Sequence, residues 1–298
     1  MNRTARLLRS GFRAFGLDPL VRRVYYYALT MFPEIVAVLI GNPLLRLRGA
    51  PDGLPIPSVR LAYLVTGRYD LADSYYAGGV RGADSIRSIL AANGLDIGAF
   101  HSILDFGCGC GRIIRHWRNL GVSRLSGSDC SASAIMWCRR SFPFAEFKLN
   151  EPGTGLDYDD DQFDFIYAIS VFTHLSEAGQ FFWMNELTRI LKPGGYLLIT
   201  VQGTRRLHVL QPHERQRFQS GQLVVVNPMA SGTNDCYVFH PEQYVRSSLS
   251  RGLTVADFVP GGAKDNNQDV FLLTKPVETA SQNTSSEYCE QNAHRSTF

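Results

Sequence analysis

Three glycines alternate with other small residues directly after a short apolar run that ends in an acid. In the stretch ILDFGCGCGR, Asp105 precedes Gly107, Gly109 and Gly111. Glycine lets a backbone pass close to a ligand and adopt conformations that other residues avoid. A second acid, Asp129, ends the segment RLSGSD. A carboxylate at a strand end beside such a turn can accept hydrogen bonds from both hydroxyls of a ribose, so these residues predict a nucleoside site.

The glycine spacing bears on which nucleoside ligand is bound. A dinucleotide fingerprint has the form G-x-G-x-x-G, and the pyrophosphate faces the N-terminus of the following helix. Position 112, where that third glycine would stand, is Arg112, and the third glycine comes one residue early. An acid ahead of the turn would repel pyrophosphate but suits a cationic ligand. Asp129 fits a nicotinamide dinucleotide equally well, so both kinds of ligand stay open at this point.

One histidine lies where a proton acceptor would be useful. His174, in SVFTHL, follows the long apolar segment FDFIYAISV, which predicts a central strand. An imidazole there can accept a proton near neutral pH, or it can order the loop and cap the next helix. No H-x-E or H-E-x-x-H spacing occurs, so no metal site is predicted.

The elements that must position these residues alternate between strand and helix patterns. Strands are predicted for SILDF, RLSGSD, AEFKLN, FDFIYAISV, YLLITV, TVADFVPG and QDVFLLTK. Helices are predicted for ADSIRSILAANGL, RIIRHWRNLG, SASAIMWCRRSF, EAGQFFWMNELTRIL and PEQYVRSSLSRG. This alternation predicts an α/β fold with a mainly parallel sheet. Within it, residues 203–240 form an insertion, where GQLVVVNPMASGTNDCYVFH predicts a hairpin or a pair of edge strands.

The two ends of the chain differ from this domain in composition. Residues 1–60 are predicted to be a basic helical extension followed by a linker, RGAPDGLPIP, with three prolines in ten residues. Six arginines among the first 23 residues are interleaved with apolar residues, so residues 1–30 either contact an anionic membrane surface or pack on the main domain. Residues 276–298, rich in Ser, Thr, Asn, Gln and Glu, predict a disordered tail.

Composition places the chain among ordinary soluble enzymes. With 298 residues and 45% hydrophobic content it can bury a sizeable core, and its net charge of +3 is too small to imply nucleic-acid binding. The six cysteines include no C-x-x-C pair, which is typical of a reduced cytosolic protein. No apolar run reaches the roughly 20 residues that a spanning helix needs. We therefore expect a cytoplasmic protein, with peripheral membrane contact through residues 1–30 as the open alternative.

Four segments in order resemble one known family. ILDFGCGCGR, SGSDCS, FDFIYAISVFTHL and LKPGGYLLIT resemble the motifs of class I S-adenosylmethionine-dependent methyltransferases, over roughly residues 61–275. The resemblance implies a Rossmann-like, doubly wound sheet of seven strands with the last strand antiparallel, here preceded by an N-terminal helical extension. It implies S-adenosyl-L-methionine as the cofactor. The cofactor-binding residues that it implies are Asp105, Gly107, Cys108, Gly109, Gly111, Asp129, Cys130, Asn150 and Ser170.

The resemblance also assigns parts of the cofactor to some of these residues. Asp105 and Gly107 would lie near the methionine part, and Asp129 would hold the ribose hydroxyls. Cys130 would lie against the adenine, and Asn150 would contact its amino group.

The function that follows is methyl transfer to a small-molecule acceptor such as a sugar, lipid or secondary metabolite. His174 is the candidate base, which is needed only where the acceptor is a hydroxyl. The acceptor class rests on exclusion, because no N-P-P-Y loop and no RNA-binding appendage occurs. Two alternatives stay open: a methyltransferase fold that binds a partner without catalysis, and an NAD-dependent oxidoreductase.

Overall fold

The fold is built on one large β-sheet. A computed structural model describes residues 35–151 and 153–277, so the predictions for residues 1–30 and for the tail beyond residue 277 lie outside the described residues. The strands of the sheet are β1 (Ser102–Phe106), β2 (Arg124–Asp129), β3 (Glu146–Leu149), β4 (Phe163–Ala168), β5 (Leu191–Val201), β8 (Thr254–Ala263) and β9 (Gln268–Thr274). A separate hairpin in the insertion supplies β6 (Val224–Val226) and β7 (Tyr237–Phe239), which confirms the hairpin prediction.

The order of the strands places the glycine turn at the centre of the sheet. Across the sheet the order is β3-β2-β1-β4-β5-β9-β8. Strands β1 to β5 are parallel, and β9 runs antiparallel to both β5 and β8. Seven strands with an antiparallel last strand confirm the predicted fold class. The chain winds outward in both directions from β1 and β4, and the carboxyl ends of such a pair form the crevice in which open α/β sheets bind ligands.

Helices cover both faces of the sheet. The α-helices are α1 (Asn42–Arg48), α2 (Val59–Thr66), α3 (Gly78–Ala92), α4 (Ala132–Ser141), α5 (Glu177–Ile190), α6 (Pro212–Gln219) and α7 (Glu242–Tyr244). Successive strand residues point to opposite faces, so β1 contributes Leu104 to a core shared with α5 and Ile103 to a core shared with α3. None of the helices among the described residues is long and apolar enough to cross a membrane.

The prediction of a helix directly after the glycine turn was wrong in type and length. RIIRHWRNLG forms turns and one short 3-10 helix, Ile114–Trp117. Its Arg115 is buried together with Ile113, Ile114 and Trp117, and the exposed residues are confined to the end of the segment, so it lacks the continuous polar face that a surface helix presents to water. Other boundaries moved less: β5 already begins at Leu191 and includes the KPGG turn sequence, and α7 continues as a π-helical turn, Val245–Leu249.

The segment predicted as a linker is held firmly against the domain. Arg115 donates to both carboxylate oxygens of Asp52, at 2.7 and 2.8 Å, and to the carbonyls of Leu54 and Pro55, both at 3.2 Å. Its fifth donor contact is to the hydroxyl of Tyr75, at 3.3 Å. A buried guanidinium needs all its donors paired, and the residues of the supposed linker supply the acceptors.

Candidate functional site

The turn after β1 is closely packed by side chains from three other segments. Gly107, Gly109 and Gly111 have φ angles of 76°, 52° and 76°, in the left-handed region that favours glycine. A Cβ atom on Gly109 would lie 2.5 Å from Val65 on α2. On Gly107 it would collide with Val171 in the loop after β4. These contacts explain the glycines physically, because both the backbone conformation and the space exclude a side chain.

The amide groups of this turn are largely engaged within the protein. Gly107 and Cys108 donate to the carbonyl of Ser128, at 2.8 and 3.0 Å, and Gly111 donates to the carbonyl of Cys108, at 2.9 Å. Gly109 donates to the carboxylate of Asp129, at 2.8 Å. A pyrophosphate site uses such amides, together with a helix N-terminus, to bind its ligand. Here the amides are occupied and only a four-residue 3-10 helix follows, which argues against the dinucleotide interpretation.

Asp129 is fixed at the end of β2 by backbone donors on both of its oxygens. Its Oδ2 accepts from Gly109, and its Oδ1 accepts from the amide of Ser131 at 2.8 Å. Burial raises the pKa of Asp129, while these two hydrogen bonds act in the opposite direction. Each carboxylate oxygen has a further lone pair, so the side chain can still accept two hydroxyl groups. The predicted ribose contact needs two such lone pairs.

Asp105 is buried beneath the turn with one oxygen unpaired. The residue is 3% exposed, and its Oδ2 has no hydrogen-bond partner among the described residues. Burial raises the pKa of Asp105 to about 7, the nearby Asp129 adds to the rise, and the hydroxyl of Tyr167 and the charge of Arg112 oppose it. A cation placed nearby would favour the ionised carboxylate.

Two arginines that follow the turn have structural partners. Arg112, at the position where the dinucleotide fingerprint has glycine, pairs with Asp265 in the β8–β9 connection at 2.8 Å. Tyr75, a partner of the second arginine, Arg115, is buried in the core. Its hydroxyl donates to the carbonyl of Cys110 at 2.9 Å and accepts from Arg115. Sequence reasoning missed this network, although an arginine inside the apolar run RIIRHW was a signal for a buried charge.

The structure brings most of the other predicted cofactor residues to the same edge of the sheet. Cys130 follows Asp129 and is exposed, and Asn150 follows β3. Asn150 is buried, and its amide nitrogen donates to Ser128 Oγ at 3.3 Å. The side chain of Cys108 instead points into the core on the α3 side of the sheet, so a ligand at this edge would meet only its backbone. The roles of these residues stay predictions.

Ser170, directly after β4, has a left-handed backbone and a polar network that supports it. Its φ is 61°, an uncommon value for a residue other than glycine. Its amide donates to Thr200 Oγ1 at 2.7 Å, and its hydroxyl donates to Gln268 at 3.1 Å. The hydroxyl also accepts from Asn266 at 2.7 Å. These partners lie on β5, on β9 and in the connection before β9, so they hold the start of the β4 loop in place.

His174 lies in that loop with its ring oriented by the insertion. Nδ1 is 2.7 Å from the carbonyl oxygen of Cys236. A carbonyl can only accept, so Nδ1 carries the proton and Nε2 keeps its lone pair. Burial lowers the pKa of His174 from its usual value, and the Cys236 hydrogen bond opposes that effect. The imidazole is therefore neutral near pH 7 and able to accept a proton at Nε2.

The loop between β6 and β7 links the His174 segment to α2. The amide of Gly232 donates to the carbonyl of His174, at 2.7 Å, and the hydroxyl of Ser231 accepts from Ser176, also at 2.7 Å. Asn234 donates to the carbonyl of Leu64 on α2 at 3.0 Å. The neighbouring residue on α2, Val65, packs over the glycine turn, so the insertion, the helix and the β4 loop adjoin one another at this edge.

Gln180 is a further polar residue that sequence reasoning missed. It is fully buried on α5, and it donates to the carbonyls of Phe172 and Leu175, at 3.3 and 3.0 Å, on either side of His174. Its oxygen accepts from His240 at 3.0 Å. Burial lowers the pKa of His240 to about 3, so this histidine is a neutral support rather than a proton carrier.

The arginines of the insertion divide into two pairs. Arg215 donates to the carbonyls of Leu207 and Leu210, both at 3.2 Å, and Arg217 donates to the carbonyl of Leu223 at 3.5 Å, so this pair holds the insertion together. Arg205 and Arg206 are exposed on the 3-10 helix after β5. The described residues contain no group of three or more His, Cys, Asp or Glu placed to hold a metal ion.

Comparisons with known proteins match the part of the chain that carries this site. Residues 104–199 match the family described as "Methyltransferase domain". Methyltransferase GfsG of Streptomyces halstedii is 34% identical over 119 residues, which are 37% of this chain and 42% of that protein. Malonyl-(acyl-carrier protein) O-methyltransferase of Enterobacter lignolyticus is 32% identical over 123 residues, which are 40% of this chain and 44% of that protein. The match thus spans less than half the length of these curated relatives.

Among solved structures, a SAM-dependent methyltransferase from Methanosarcina mazei is similar to this chain with a TM-score of 0.43 and 22% sequence identity. The match covers 59% of this chain and 93% of that chain.

Proposed function

We propose that the chain is a class I S-adenosylmethionine-dependent enzyme that methylates a small-molecule acceptor, and the match of residues 104–199 to the family described as "Methyltransferase domain" supports this. The observation that carries this proposal is the pair of carboxylates, Asp105 and Asp129, beside a glycine turn whose amides are already engaged. Such a turn is poorly suited to phosphate and well suited to a nucleoside with a cationic substituent.

The residues at the edge of the sheet fit this cofactor. S-adenosylmethionine, when bound, supplies a reactive methyl group on a positively charged sulfur. Asp129 would accept the two ribose hydroxyls with the lone pairs that Gly109 and Ser131 leave free. Asp105, with its unpaired Oδ2, would contribute negative charge near the cationic part of the cofactor. Asn150 and Cys130 would face the adenine, as the family resemblance implies.

His174 would act as the base for an oxygen acceptor. Its Nε2 would take the proton of an acceptor hydroxyl, and the Cys236 carbonyl would hold the ring and stabilise the imidazolium that forms. The name of one relative, an O-methyltransferase, also favours oxygen as the atom methylated. Alignment and exclusion of water supply much of the rate in such a displacement, and the loop at Gly232 and Ser231 would contribute to both.

The first experiment is a binding measurement on the full chain. We expect S-adenosylhomocysteine to bind with a dissociation constant in the micromolar range in isothermal titration calorimetry, and NADH not to bind. Binding of NADH in its place, or binding of neither compound, would contradict the proposal.

The role of His174 can be tested before the acceptor is known. In an NMR titration of labelled histidine, His174 should show a pKa below 6.5 and the tautomer with the proton on Nδ1. With an acceptor in hand, His174→Gln should lower kcat by roughly 100-fold or more with little change in cofactor affinity. His208→Gln, in the exposed part of the insertion, is the matched control. An unchanged kcat for His174→Gln would remove this residue as the base.

A further inference from the structure

One helical segment exposes a run of large apolar side chains to solvent. Segment 35–48 consists of a first turn, the π-helical turn Ala37–Gly41 and α1. Its exposed apolar side chains and their exposed fractions are Ile35 48%, Val36 38%, Leu39 69%, Ile40 56%, Leu44 41% and Leu47 84%. We call this set the apolar face. Single exposed apolar residues are normal, but six within 13 residues form a patch of the kind that marks an interaction site.

The opposite side of the segment is anchored to the domain. Asn42 is 3% exposed, and its side-chain amide donates to the carbonyl of Tyr69 at 2.8 Å. Its side-chain oxygen accepts from the amide of Leu71, also at 2.8 Å. Leu45, on the same helix, packs against the buried cluster formed by α2 and the segment around Tyr75. The apolar face therefore belongs to an element with a fixed inner side.

Two exposed arginines, Arg46 and Arg48, lie on the helix that carries part of the apolar face. Between residues 35 and 68 the chain has four arginines, Arg46, Arg48, Arg60 and Arg68, and one acid, Asp52. That acid is already paired with Arg115. Arg46 and Arg48 are exposed, form no ion pair with any described residue, and line an open cleft of about 660 Å³. Apolar side chains flanked by unpaired arginines are typical of elements that lie on anionic membranes.

We propose that the apolar face and its flanking arginines bind the surface of an anionic lipid bilayer. The apolar side chains would enter the boundary between headgroups and acyl chains, and Arg46 and Arg48 would contact lipid phosphates. Charge disfavours two other occupants. In a two-fold dimer through this face, arginines of one copy would oppose those of the other. The second occupant is the N-terminal segment of the chain. Its first 23 residues carry six arginines and one acid, Asp18, so it would bring positive charge next to Arg46 and Arg48.

This surface is independent of methyl transfer, and it involves residues other than those that sequence reasoning selected for membrane contact. The experiment uses the full chain and sedimentation with vesicles of phosphatidylcholine alone or of phosphatidylcholine mixed equally with phosphatidylglycerol. We expect binding to the mixed vesicles and much weaker binding to the neutral ones. Leu39→Asp with Leu47→Asp should abolish it, and Arg46→Ala with Arg48→Ala should weaken it by roughly 30-fold, since each of the two basic residues contributes about 1 kcal/mol near such a surface.

A matched pair of controls lies on the 3-10 helix of the insertion. Val209 is 58% exposed, and Arg206 is exposed beside it. Val209→Asp and Arg206→Ala should leave vesicle binding unchanged. Thermal unfolding and light scattering complete the test. Equal binding to both kinds of vesicle, or to neither, overturns the proposal. A wild-type dimer that dissociates when the two leucines are replaced also overturns it, and so does a loss of thermal stability in the leucine variants. Either result means that another part of the protein, or a second copy, already covers the apolar face.

Discussion

The buried carboxyl of Asp105 offers a direct test of the electrostatics of the site through Asp105→Asn. Burial raises the pKa of Asp105 from 3.8 to about 7 in the folded protein. For an acid with a raised folded pKa, the folded state holds the proton at pH values where the unfolded chain has lost it. Stability is thus highest at low pH, falls as the pH rises from the unfolded pKa, and levels off above the folded pKa. Asparagine has a similar shape and no charge, so the variant lacks this dependence.

The magnitude follows from the width of that window. Well below its folded pKa this group costs the wild-type protein about 1.4 kcal/mol for each pH unit, and the slope halves near pH 7, where the carboxyl is half ionised, so the loss between about pH 5 and about pH 7 is about 2 kcal/mol. The free energy of unfolding of Asp105→Asn should therefore rise relative to the wild type by about 2 kcal/mol over this range, measured by urea denaturation at both pH values. The variant should also bind S-adenosylhomocysteine no more weakly than S-adenosylmethionine, because the negative charge facing the cation is gone.

The control for this experiment is Asp164→Asn, near the start of the neighbouring strand β4. The pKa of Asp164 is lowered, because hydrogen bonds from Lys192 and Ser102 outweigh its partial burial. The stability that it contributes is lost only as the pH falls through that lowered pKa, so the difference between Asp164→Asn and wild type should be constant from about pH 5 to about pH 7. If Asp105→Asn also shows a constant difference, the carboxyl is not held in a protonated state and our reasoning about its burial is wrong.

Two further predictions concern the fixed parts of the site. Asp129→Asn should weaken binding of S-adenosylhomocysteine by roughly 100-fold in the calorimetric assay, because two charge-assisted hydrogen bonds worth about 1.5 kcal/mol each are lost. The control is Asp96→Asn, since Asp96 also accepts from a backbone amide, and this variant should bind the compound normally. Arg115→Met should lower the free energy of unfolding by about 3–5 kcal/mol in urea titrations, since it strands Asp52, the buried carbonyl of Leu54 and the carbonyl of Pro55. Adding Asp52→Asn should recover part of that loss, and a purely additive double variant would show that the pair is not coupled.

Much of the fold could be predicted from residue patterns because the central strands are unambiguous. SILDF and FDFIYAISV are short, mainly apolar runs bounded by turn residues, and with RLSGSD they form β1, β4 and β2 nearly as expected. The helix after the glycine turn was predicted wrongly, although the arginine inside its apolar run was a signal that Arg115 is buried. The partner that pairs with this arginine, Asp52, is 63 residues away in sequence, in a segment whose prolines suggested a linker.

The chain order of acids and glycines was sufficient to place Asp105 and Asp129 together, since adjacent parallel strands end at one edge of the sheet. The same order placed His174 in the loop after β4. It did not determine the state of these groups. That state depends on partners from other segments: Tyr167 for the carboxyl of Asp105, Ser128 for the amides of the turn, and Cys236 for the tautomer of His174. It also depends on burial, which is a property of the packed molecule. Sequence therefore determined which groups meet, and tertiary structure decided their protonation and which of their hydrogen bonds remain free, because desolvation and pairing arise only when distant segments pack together.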